Sequence, residues 1–141
     1  VAPASGVILY AAAPAGSNSG YLGNWVGHPL GGGNTIEMLC NVNGTLYAVS
    51  FAHLSQTIYV SAGQSVSQGQ TIALSGNSGN SSGPHTHVEV YNLGSMSVND
   101  AIARFRSGAD FAWGTGWYGT STSCEAGKAA PCRERPEKFF S

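Results

Sequence analysis

Two alternating runs joined by Asn43-Gly44 constrain this chain more than any other feature. In "NTIEMLCNV", Ile36, Met38, Cys40 and Val42 occupy every second place. In "TLYAVSFAHL", Tyr47, Val49, Phe51 and His53 do the same. Side chains of a strand point alternately to its two faces, so each run presents one mainly apolar face. Asn-Gly tolerates the positive φ of a two-residue hairpin turn. The pair therefore predicts an antiparallel hairpin, with His53 sharing the face of Phe51 and emerging near the strand's end. "GVILYA" and the short segment carrying Ile72 and Leu74 read as further strands. "HVEVY" reads as another, with Val88 and Val90 on one face and His85, His87 and Glu89 on the other.

One helix is expected, in "SVNDAIARFRSG". Ser97 can cap it, Asp100 lies in its first turn, Val98, Ile102 and Phe105 form an apolar stripe, and Gly108 ends it. The stretch from Pro14 to Gly33 and the segment "GNSGNSSGP" read as irregular, the second as a flexible loop. The expected fold class is mainly β: an antiparallel sheet core with one short helix and an irregular C-terminal tail. The expected division is a core over residues 1–108 and an extension over 109–141 packed on it.

Charge narrows the function. Of 141 residues only 9% are charged, and no Lys or Arg precedes Arg104. The first hundred residues carry Glu37, Glu89 and Asp100 as their acids. Nucleic-acid binding and a polybasic membrane contact both require a cationic footprint that the main body lacks. No apolar run approaches the roughly 18 residues of a membrane span. Solubility instead rests on Ser, Asn, Thr, Gln and Gly, a composition more usual outside the cell. Cys124 and Cys132, in "SCEAGKAAPCR", are placed for a local disulfide, which fits a secreted chain. Cys40, in an alternating strand, reads as a small buried hydrophobe. The chain begins at Val1, and the expectation is a removed leader or a longer parent.

His85 and His87 are the chemistry-bearing residues. Two places apart on a strand, they share a side, and His53 comes from a second strand. Such a group could hold a metal and handle protons. In zinc hydrolases the metal brings the pKa of its bound water to about 7. Spacing alone fits three unrelated surface histidines equally well.

A longer pattern surrounds them. "FAHLS", then "VSAGQSVSQGQTIALSGNSG", then "GPHTHVEV" resembles the lysostaphin-type (LytM-like) zinc endopeptidases, which cut peptide bonds in bacterial peptidoglycan. Phe51 replaces the family's Tyr, and the other landmarks stand in order. The resemblance covers roughly residues 5 to 92, with the stretch from Ala13 to Gly32 as an insertion. It implies that His87 is a zinc ligand, that His85 is a catalytic histidine, and that His53 is its partner in holding a proton or stabilising the oxyanion. Glu89 would at most orient His87. The implied cofactor is zinc, and the implied partner is a peptidoglycan stem or cross-bridge peptide. The implied location is outside the cell or at the cell wall.

The family also requires His-x-x-x-Asp upstream of the segment matching "ASGV", and this chain has none. His28, in "WVGHPLGGG", has no ligand-like partner in sequence and reads as a surface residue. Three explanations stand. In the first, which leads, the missing ligands lie upstream in a parent chain, and this segment alone is inactive. In the second, the domain is metal-free and binds cell wall or activates another hydrolase. In the third, Cys40 is the nucleophile of a Cys-His amidase; it ranks last, since no helix N-terminus or cation is evident to lower the thiol pKa. Trp113, Trp117 and Tyr118 read as packing residues of the tail, whereas the role of Trp25 stays open.

Overall fold

The computed structural model describes residues 1–14, 16–17, 33–79, 81, 83–107, 123–127 and 129–137, without the side chains of 105–107. Trp25, His28, Asp110, Trp113, Trp117 and Tyr118 lie outside the described residues, as does Gly108 at the expected helix end.

The strands are β1 (Gly6–Ala12), β2 (Asn34–Val42), β3 (Thr45–Ile58), β4 (Ser65–Val66), β5 (Ala73–Ser75), β6 (His87–Asn92) and β7 (Cys132–Glu134). The helix α1 spans Val98–Ser107. The described strands form one sheet in the order β4-β1-β2-β3-β6-β7, and β5 pairs with the far end of β3. All strand pairings are antiparallel. Among the described residues no helix is long and apolar enough to cross a membrane.

The β2–β3 hairpin turns at Asn43 and Gly44, with φ of 53° and 85°. These are the left-handed values that Asn and Gly adopt at least cost. The alternation then sorts the core into two layers. Ile36, Met38, Cys40, Val49, Phe51 and Val90 face one side, where Ile8, Val66 and Ile72 pack with them. Leu39, Leu46, Ala48, Tyr91 and Leu93 face the other, covered by Ala101 and Ile102 of α1. Ser97 caps that helix, its Oγ accepting from Asp100 N at 3.1 Å. Val98, expected in the apolar stripe, is 37% exposed, whereas Ala101 is buried.

Two expectations need correction. His53 is neither at a strand end nor on the face of Phe51. Phe51 lies opposite Ile36 and Leu54 opposite Asn34, so Ala52 and His53 together oppose Thr35. This is a β-bulge, with His53 at φ 60°. The extra residue reverses the alternation, and Leu54 joins the core layer that His53 would have joined. The second correction concerns "GNSGNSSGP". Ser78 and Ser81 of this stretch are buried, and Ser78 is pinned by hydrogen bonds on both sides of its Oγ. A polar composition suggested freedom; at Ser78 and Ser81 the hydroxyls are buried and hydrogen-bonded instead.

Cys124 and Cys132 form the expected disulfide. Cys40 is free and fully buried.

Candidate active site

The β3 bulge, the segment before β6 and the first residue of β6 bring three imidazoles together. The ring centroids of His53 and His85 are 4.8 Å apart. Those of His53 and His87 are 6.2 Å apart and nearly perpendicular. His87 opens β6 opposite Ala52, so it emerges beside the bulge. His85 lies just before the strand, and its backbone N–H donates to Gly76 O at 2.9 Å. The His-x-His pair is therefore divided between a strand residue and an isolated bridge.

Backbone carbonyls set two of the tautomers. His53 Nδ1 lies 2.8 Å from Ser78 O. His85 Nδ1 lies 2.7 Å from Gly83 O, with Ser81 Oγ at 3.2 Å. A carbonyl oxygen can only accept, so each Nδ1 carries the proton and each Nε2 keeps its lone pair. The loop holding Ser78 is fixed in turn: Ser78 Oγ donates to Leu54 O at 2.6 Å and accepts from Asn34 N at 3.0 Å. Asn34 Nδ2 donates to the same Leu54 carbonyl at 3.2 Å.

Burial and neighbouring charge disfavour protonation of His53 and His87. His53 is 3% exposed. Burial chiefly holds its pKa below the ordinary histidine range, the Ser78 hydrogen bond opposes this, and the neighbouring His85 and His87 lower it further. Burial also lowers the pKa of His87, with the Arg133 cation adding to the effect.

Beneath the rings runs a polar row of which the sequence reading had only Glu89. Glu37, Ser50 and Glu89 lie opposite one another on β2, β3 and β6. All three are buried, and Ser50 Oγ donates to Glu37 Oε2. Glu89 Oε1 meets the Arg133 guanidinium, and its Oε2 lies 3.5 Å from His87 Nε2. One signal could have exposed Glu37. Its face of β2 also carries Leu39, so that side was not a solvent face.

This set can accept and return protons at two imidazole Nε2 atoms held close together. Among the described residues no group of three or more His, Cys, Asp or Glu side chains is placed to hold a metal ion. His87 stands at the position that the sequence pattern assigns to a ligand. His28 lies outside the described residues.

Comparison with known proteins bears on the same residues. The model of peptidase family M23 matches residues 1–100. An uncharacterized metalloprotease of Haemophilus influenzae is 42% identical over 74 residues, which are 52% of this chain and 15% of that protein. The peptidoglycan DD-endopeptidase ShyA of Vibrio cholerae is 43% identical over 63 residues, 45% of this chain and 14% of that protein. Among solved structures, the catalytic domain of lysostaphin from Staphylococcus simulans is 32% identical with a TM-score of 0.46. That match covers 70% of this chain and 61% of the lysostaphin domain. A zinc-containing peptidase from Vibrio cholerae is 28% identical with a TM-score of 0.45, covering 67% of this chain and 25% of its own. The chain thus spans only a small part of the curated relatives it matches.

Proposed function

The chain belongs to peptidase family M23, and from that premise we propose that it hydrolyses peptide bonds in bacterial peptidoglycan, outside the cell. The observation that carries this reading is the convergence of His53, His85 and His87 within a segment the family model matches. The scarcity of charge in the chain, 9% of its residues, suits an uncharged, small-residue peptide such as a stem or cross-bridge.

In this reading His85 and His53 handle protons. Their Nδ1 protons are committed to Gly83 O and Ser78 O, so the Nε2 atoms face the chemistry. A neutral Nε2 takes a proton from the attacking water; the protonated ring then donates to the oxyanion or to the leaving amine. The bulge and the pinned Ser78 loop hold the rings in place and so reduce the reorganisation each step requires. His87 is proposed as a zinc ligand, the remaining ligands being supplied from outside residues 1–141. That division leaves this segment inactive alone.

A second reading has one observation in its favour, the lack of a three-ligand cluster among the described residues. In it the domain is metal-free and binds cell wall or activates another hydrolase. Incubating purified peptidoglycan with the parent protein and following new free amines, with and without a chelator, separates the two. Chelator-sensitive amine release supports the peptidase. Tight binding to the wall with no amine release, from a protein that carries no zinc, supports the second reading.

A further inference from the structure

The family match ends at residue 100, yet the strand next to the histidines comes from beyond it. β7 pairs with β6, and Arg133 lies opposite Tyr91. Paired residues share a side of the sheet, and Tyr91, Glu89 and His87 alternate onto the same side. Arg133 therefore starts on the histidine face. Its Nη2 meets Glu89 Oε1, while Glu89 Oε2 lies 3.5 Å from His87 Nε2. One carboxylate thus meets a permanent cation with one oxygen and holds the other 3.5 Å from an imidazole nitrogen, within ion-pair range but without a hydrogen bond.

Glu89 is only 3% exposed, and a carboxylate at that depth is stable only when paired. Arg stays charged at any working pH and offers a rigid fork of donors, which suits it to this task. The unit that presents Arg133 is closed on itself. The Cys124–Cys132 disulfide joins the start of β7 to the short turn Cys124–Ala126. Ser123 bridges to Arg133, and Arg135 pairs with Glu125 at 3.2 Å.

We propose that Arg133 is a positioning residue of the histidine site: reaching in from the C-terminal extension, it holds Glu89, and Glu89 fixes the ring of His87. The inference rests on His87 being a site residue. The carboxylate beside Nε2 draws the ring proton to that nitrogen, which leaves the lone pair on Nδ1. Without Arg133, Glu89 would lose the partner that anchors its carboxylate, and a displaced carboxylate would no longer favour one tautomer of the ring.

Long-range proton–nitrogen NMR of the nitrogen-15-labelled full chain reads the tautomer of His87 directly. The wild-type chain is expected to show a protonated Nε2. In R133M the two ring nitrogens should shift toward averaged values, and R133K, which restores the cation, should return them toward wild type. R135M, which alters the neighbouring ion pair only, should change nothing. In the active parent protein R133M should lower kcat by about 10- to 100-fold with little change in KM. A folded R133M chain that keeps the wild-type His87 signature overturns the proposal and leaves Arg133 a mere staple of β7. Should R133M fail to fold, E89Q breaks the relay from its other end, and an unchanged His87 signature there overturns it equally. Failure of the parent to cleave peptidoglycan would defeat the proposed function but not this relay, which the NMR decides separately.

Discussion

Ser78→Ala is the substitution that best probes how the loop supports the site. The side chain is fully buried, and its Oγ makes two hydrogen bonds at once. Truncation leaves the Asn34 N–H without its acceptor. Removing the acceptor of a buried hydrogen bond costs about 1–3 kcal/mol. The Leu54 carbonyl also loses a donor, but Asn34 Nδ2 still reaches it at 3.2 Å, so that loss falls at the low end. The sum is about 2–3 kcal/mol of stability. For a domain of this size each kcal/mol lowers Tm by about 2–4 °C, giving a drop of roughly 5–10 °C. Urea titration and thermal melts of Ser78→Ala against wild type would measure it, with the exposed Ser61→Ala as a control expected within about 0.5 kcal/mol. Because the Ser78 carbonyl fixes His53 Nδ1, the loosened loop should also broaden the His53 ring signals. A Ser78→Ala chain as stable as the control would refute the claim that this loop is pinned through its hydroxyl.

Three further outcomes are expected. A Cβ on Gly76 would lie 2.6 Å from Ser55 N and 2.8 Å from Leu54 C, backbone atoms that cannot yield; since Gly76 O holds His85 N, Gly76→Ala should displace His85 and cut turnover of the parent by about a hundredfold, measured by amine release. Burial pushes the Cys40 thiol up to about 11, so Ellman's reagent should leave it unmodified in the native chain at neutral pH and react with it in urea, and Cys40→Ala should retain cleavage; a fast native reaction, or loss of cleavage, would revive a thiol nucleophile. The folded pKa of His53 lies below the ordinary value, so the unfolded chain binds more protons there; the metal-free chain should be most stable above the ordinary histidine range and lose stability as pH falls from it toward the folded value, seen as a lower urea midpoint at about pH 5.5 than at about pH 8, with His53→Asn flattening the difference.

The strands were readable because period-two alternation is a local property. Ile36, Met38, Cys40 and Val42 declared their face, and Asn43-Gly44 declared the turn. The same logic failed at His53, because a bulge adds a residue that no alternation announces and a histidine at positive φ has no composition signal. It failed again at Ser78, whose polar neighbours suggested solvent although its hydroxyl closes a buried gap between β2 and β3. The histidine cluster was legible through the surrounding pattern rather than through spacing. Arg133 was not, since nothing in a basic residue more than forty positions away says which carboxylate it will meet. Glu37 and Ser50 were hidden for a related reason: both are buried, and the local alternation does not say that their face of the sheet is interior too.

The most direct test of the histidine site is to separate metal content from turnover in the parent protein. His87→Ala should lose both bound zinc and peptidoglycan cleavage, whereas His85→Ala and His53→Ala should keep the zinc and lose the cleavage. Undiminished cleavage by His85→Ala, or full zinc in His87→Ala, would contradict the roles assigned to these rings.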